Sequence, residues 1–100
     1  MNKIIEKKVN AKLKKPNLYQ VLLLNDDFTT MEFVVEVLQR FFGKSINAAN
    51  ALMLKIHIEG EAVCGIYSHD IAQTKVTQVI EFSRDNEQPL MCIIREVNTE

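Results

Sequence analysis

The chain has 100 residues, 47% of them hydrophobic, with 12 basic and 13 acidic side chains. That length makes one small domain with a single two-layer core, because so short a chain buries only about 60–70% of its unfolded surface, and it leaves no room for separate catalytic and cofactor domains. The near-neutral balance is uneven: residues 1–16 hold six lysines and one glutamate, while residues 17–100 hold six basic and twelve acidic side chains, a net of −6. Such a body is a poor nucleic-acid surface, since binding there relies on lysine and arginine contacts to phosphate.

Residues 1–17 are lysine-rich and weakly apolar, and Pro16 disfavours helix at the residue before it. They read as a flexible basic extension, followed by one domain over 18–97 and a short end at 98–100. No apolar stretch approaches the roughly 18 residues of a membrane span, and Ile4-Ile5 is too short for a signal-peptide core. A soluble cytoplasmic protein is expected. Residues 18–25, apolar and bounded by turn formers, suit a central strand. Asn25-Asp26-Asp27 then make an acidic turn. Thr29 with Glu32 has the form of a capping box, and Met31, Val34, Val35, Leu38, Phe41 and Phe42 recur at helical spacing before Gly43.

Ser45 is placed to cap a second helix that ends at Gly60. Ile46, Ala49, Met53 and Ile56 form one face and Ala51, Leu54 and Ile58 another, so this helix is expected to be sandwiched. Residues 62–67 read as a strand, with Gly65 at a bulge or a close approach. A third helix starts after Ser68, with Ala72, Val76, Val79 and Ile80 as its apolar stripe and Lys75 on its outward face. Pro89 precedes a last strand over 90–97. The order β-α-α-β-α-β predicts an α+β fold, a two-layer sandwich of a three-stranded sheet and three helices. Cys64 and Cys92 sit in apolar runs, where cysteine behaves as a small buried hydrophobe.

The acidic turn carries the chemistry. Asparagine and aspartate are ordinary turn residues, and aspartate also complements a helix start; yet two carboxylates and an amide exceed what one turn needs. His57 lies four residues after Met53, so their side chains are neighbours on one helix face. An acid–base pair or a metal site is conceivable in chemistry, but His69, the other histidine, stands apart at the start of the third helix. Neither cysteine has a partner at metal spacing, and no nucleophile motif or phosphate loop is present. Binding fits better. Asn25, the aspartates and a neutral His57 are all acceptors, and Met31, Val34, Met53 and Ile56 supply apolar side chains beside them. A ligand with an ammonium next to a hydrophobic side chain, such as the free N-terminus of a peptide, matches that set.

The segments Tyr19–Val34, Ala49–His57, Val63–Tyr67, the surroundings of Glu81 and Gln88-Pro89-Leu90 closely resemble, in order and spacing, the ClpS adaptor family. The resemblance covers about residues 17–97. It implies a non-enzymatic adaptor without metal or cofactor, acting as a monomer, whose fold is similar to the C-terminal domain of a ribosomal stalk protein. It implies that proteins with a destabilising first residue (Leu, Phe, Tyr or Trp) are held by an N-degron pocket and handed to the N-terminal domain of a ClpA-type AAA+ unfoldase. Carried over by position, Asn25, Asp26, Asp27 and His57 match the groups that hold the α-amino end. Thr29, Met31, Val34, Met53, Ile56 and Leu90 match the side-chain pocket, with Met31 limiting what enters. Asp70 and Lys75, on the exposed side of the third helix, match unfoldase contacts. Thr30 stands where the family usually has proline, and Asp70 where it usually has glutamate. A translation-linked interaction module of the same fold is the alternative, and a small hydrolase ranks third.

Overall fold

In a computed structural model of the protein, residues 17–97 are described. The expected basic extension over 1–17, apart from Asn17, and the end at 98–100 lie outside the described residues. The elements run β1 (Tyr19–Leu24), α1 (Met31–Phe42), α2 (Ile46–Glu59), β2 (Glu61–Tyr67), α3 (His69–Asp85) and β3 (Met91–Glu96), the expected β-α-α-β-α-β order. The three strands form one sheet in the order β2-β1-β3, antiparallel throughout. Being central explains why β1 is apolar almost end to end: it has a neighbour on both sides and no edge to solvate.

Side chains alternate across a strand. Val21 and Leu23 on β1 are fully buried and share one core with Phe33, Val37, Leu38, Ala49, Ile56, Ala72 and Val79 from the three helices. Leu22, between them in sequence, pairs with Val63 on β2 and Ile93 on β3, and is also buried though it is not part of that core. The register of β1 against β2 shifts between Val21 and Leu22, whose partners are Gly65 and Val63, so Cys64 is the extra residue of a bulge. Space at Gly65 is filled by the Tyr67 side chain, which would have to move to admit a larger residue. A Cβ on it would lie 2.6 Å from Cε2 of the Tyr67 ring. Cys64 and Cys92 are buried free thiols. Burial pushes both up, to about 11 and about 12 respectively, so neither is a ready nucleophile.

Three expectations need correction. The cap of α1 is Thr30, whose hydroxyl accepts from the Phe33 N–H at 3.1 Å. Thr29 lies one residue outside the cap position, and its hydroxyl turns to the loop instead, donating to Asp26 at 2.6 Å. Second, α2 is not sandwiched. Only Ala49 and Ile56 are buried, and Leu54 and Ile58 are 48% and 76% exposed, because among the described residues the helices lie in a single layer with nothing packed outside it. Third, Lys75 does not point outward. Its Nζ donates to the Phe41 carbonyl at 2.7 Å and lies 5.7 Å from the centre of the Tyr67 ring. That carbonyl is one of the four that the end of α1 leaves without an intrahelical donor, so the ammonium caps the helix.

Candidate functional site

The end of β1 meets the end of α2 through one backbone bond. Asn25 N–H donates to the Gly60 carbonyl at 2.9 Å. Gly60 closes α2 in the left-handed region at φ 95°, which a side chain rarely adopts, and its N–H returns to the Ile56 carbonyl at 2.8 Å. His57 is one turn before that junction, and so stands beside Asn25 although 32 residues separate them in sequence.

The turn after Asn25 is built by Asp26. Its Oδ1 accepts the N–H groups of Phe28 and Thr29 at 2.8 and 2.7 Å, and its Oδ2 accepts the Thr29 hydroxyl. Partial burial alone would raise the Asp26 pKa, but these three bonds together outweigh it and hold the carboxyl below its ordinary value. Asp27 is exposed and makes no hydrogen bond or ion pair within the described residues. Thus the two carboxylates divide the work: Asp26 fixes the loop, and Asp27 is left unengaged.

Nine of the expected residues meet at one pocket of about 260 Å³: Asn25, Asp26, Asp27, Thr29, Met31, Val34, Met53, Ile56 and His57. Val34 and Ile56, from facing helices α1 and α2, are buried and form apolar walls; Met31, 48% exposed, stands at the mouth. The side chains of Asn25, Asp27 and His57, which line this pocket, have no hydrogen-bond partner among the described residues. A volume slightly under the roughly 300 Å³ at which drug-sized sites begin suits one large side chain with a small polar head.

The remaining positions are elsewhere. Leu90 is buried in the core and does not line the pocket. Asp70 is fully exposed in the first turn of α3, whereas Lys75 is occupied by the end of α1. One neighbour of the site belongs to a segment that resembles the family, yet nothing in its residue type announces a role. Gln88, from the loop before β3, accepts the Thr30 N–H on Oε1 at 3.1 Å, across 58 residues of sequence. Among the described residues there is no cluster of three histidine, cysteine or acidic side chains fit for a metal, and no helix is long and apolar enough to cross a membrane.

Residues 14–93 match the family described as ATP-dependent Clp protease adaptor protein ClpS. The chain belongs to the ClpS family. It is 52% identical over 89 residues to the ATP-dependent Clp protease adapter protein ClpS 2 of Bradyrhizobium diazoefficiens, covering 89% of this chain and 81% of that one. It is 47% identical over 93 residues to the ClpS of Brucella canis, covering 93% and 80%. The fold superposes on that of Agrobacterium tumefaciens ClpS2, solved bound to L-phenylalaninamide, with a TM-score of 0.81, 36% identity, and coverage of 83% of this chain and 100% of that one. ClpS proteins are adaptors of a protease and not catalysts, so the reading of the chain as a non-enzyme stands.

Proposed function

We propose that this ClpS protein is an N-degron adaptor: its pocket takes the free N-terminus of a protein whose first residue is Leu, Phe, Tyr or Trp, and the complex passes to a ClpA-type AAA+ unfoldase for degradation by ClpAP. The observation that carries this reading is a pocket with unpartnered acceptors at one end and apolar walls at the other. The α-ammonium lies against Asn25, Asp27 and His57, with Asp26 holding the turn that presents them. The first side chain fills the space between Met31, Val34, Met53 and Ile56, with Thr29 at its edge. The ligand of the Agrobacterium ClpS2 structure supports this in its chemistry, because L-phenylalaninamide has a free α-amine and an amide where a peptide bond would begin. Asp70 is the better candidate for an unfoldase contact, since the Lys75 ammonium is already engaged. The protein acts in this reading as a cytoplasmic monomer, without nucleic acid or membrane.

The test is paired peptide binding. A fluorescent peptide beginning with Phe binds, and its N-acetylated twin, which has lost the charge, binds at least about a hundredfold more weakly, since charge-assisted hydrogen bonds contribute about 1.5–3 kcal/mol each. Equal binding of both peptides would refute the reading.

A further inference from the structure

The start of α1 carries Met31, the residue at the pocket mouth, and the cap that begins the helix is held from far away in the chain. Thr30 uses its hydroxyl to accept the Phe33 N–H. Its own N–H donates to Gln88 Oε1 at 3.1 Å. Nothing local makes that bond available, because Gln88 belongs to the connection between α3 and β3. The way Gln88 is brought there is itself unusual. After α3 the backbone N–H groups of Glu87 and Gln88 donate to the Arg84 and Ser83 carbonyls at 3.0 and 2.8 Å, closing the helix. Glu87 sits at φ 58°, the one non-glycine residue in the left-handed region among the described residues. A side chain in that region is strained and persists only where its surroundings enforce it. The turn at Glu87 reverses the chain directly ahead of Gln88, whose amide then spans to α1. Leu90, two residues on, is anchored in the core, so the loop is fixed at both ends.

We propose that Gln88 is a positioning residue for the binding pocket: by holding the Thr30 N–H it fixes the first turn of α1, and through Met31 it sets which first side chains are admitted. This rests on the N-terminus-binding reading given above. Gln88 touches neither the pocket nor its ligand, since it is absent from the lining residues. It acts on the rim through the helix cap. Without the bond, the residues between the Asp26 turn and the body of α1 keep their hydroxyl cap but lose the hydrogen bond that ties them to the loop before β3. Met31 then moves more freely at the mouth, which weakens binding of a well-fitting side chain and relaxes exclusion of a badly fitting one.

The experiment uses the full chain, the variants Gln88→Ala, Gln88→Glu, Thr30→Pro and the Thr30→Pro/Gln88→Ala pair, and peptides beginning with Phe, Leu or Ile. Gln88→Ala is expected to weaken the Phe peptide about three- to tenfold, the loss of one hydrogen bond, to narrow the Leu-over-Ile ratio, and to speed amide exchange at Thr30. Gln88→Glu retains a side-chain oxygen on the same stem and restores binding, selectivity and protection, which general destabilisation would not do. Proline at position 30 has no N–H to donate, and the φ of −74° found there is one proline can take. In that background Gln88→Ala therefore changes nothing further. A Gln88→Ala protein that binds, selects and protects Thr30 as the parent does would overturn the inference, as would effects of the two substitutions that simply multiply. Failure of the parent chain to bind the Phe peptide at all would instead refute the functional reading.

Discussion

Replacing each aspartate of the turn separately is expected to split stability from binding. Asp26 accepts three hydrogen bonds, two from backbone N–H groups and one from the Thr29 hydroxyl. Charge-assisted bonds contribute about 1.5–3 kcal/mol when buried, and this turn is half exposed, so about 0.5–1 kcal/mol each is the appropriate scale after solvent screening. Asp26→Ala is then expected to destabilise the fold by about 2 kcal/mol, lowering the melting temperature by about 8–16 °C for a domain of this size. Asp27 makes no such bond, and an exposed substitution of that kind stays within about 0.5 kcal/mol. Asp27→Ala should melt with the parent yet bind a Phe-initial peptide about 10- to 100-fold more weakly, having lost one contact to an ammonium. Thermal denaturation and peptide anisotropy on the same preparations measure both quantities. The pH dependence adds a sign. The folded Asp26 carboxyl titrates below its ordinary value of 3.8, so its contribution is complete above that value and is lost as pH falls through the lower folded one. The parent should therefore lose stability on acidification in that range more steeply than Asp26→Ala. An Asp26→Ala protein as stable as the parent, or an Asp27→Ala protein that binds as the parent does, would refute this division.

Other substitutions test the pocket and the frame that holds it. Met31→Ala opens the mouth of the pocket and should admit β-branched first residues such as Ile, measured as a Leu-over-Ile affinity ratio falling toward one; an unchanged ratio removes Met31 from that role. Ser83 is 1% exposed with a hydroxyl that has no partner among the described residues, so Ser83→Ala should leave stability unchanged or raise it by about 1 kcal/mol in urea denaturation. A clear loss would mean that the hydroxyl is satisfied in solution. Lys75→Met removes the donor to the Phe41 carbonyl and keeps most of the stem. It should lower stability by about 1–2 kcal/mol, and a neutral result would show that water serves that carbonyl equally well.

The fold was legible because its elements are locally consistent. The apolar run of β1, the helical spacing in α1 and α3, and the glycines at 43 and 60, both found in the left-handed region, point to the same order that the structure shows. The misreadings have physical causes. Apolar residues on two faces of α2 imply two packing partners, but the described residues hold a single helical layer and provide only one, so Leu54 and Ile58 are left exposed. Helical period puts Lys75 on the outward face, as the family resemblance also does. A period gives the direction of Cβ and not the reach of a long stem, which here carries the ammonium back to the end of α1.

The site was legible as a set of residue types and hidden as a division of labour. Asn25, Asp26, Asp27 and His57 stand out in the sequence as acceptors beside an apolar pattern, and the structure gathers them with Thr29, Met31, Val34, Met53 and Ile56 around one pocket. Adjacent aspartates are chemically identical as letters. They part only when the backbone is present, because the N–H groups of Phe28 and Thr29 converge on Asp26 and leave Asp27 unclaimed. The same convergence moved the helix cap. Thr29 fits the capping pattern, but a hydroxyl already donated to the Asp26 carboxylate is drawn into the turn, and Thr30 caps instead. That one-residue shift leaves the Thr30 N–H pointing away from the helix, where Gln88 takes it up. The Asp26 carboxylate thus claims the Thr29 hydroxyl along with the N–H groups of the turn, while Thr30 caps α1 and Asp27 makes no hydrogen bond among the described residues.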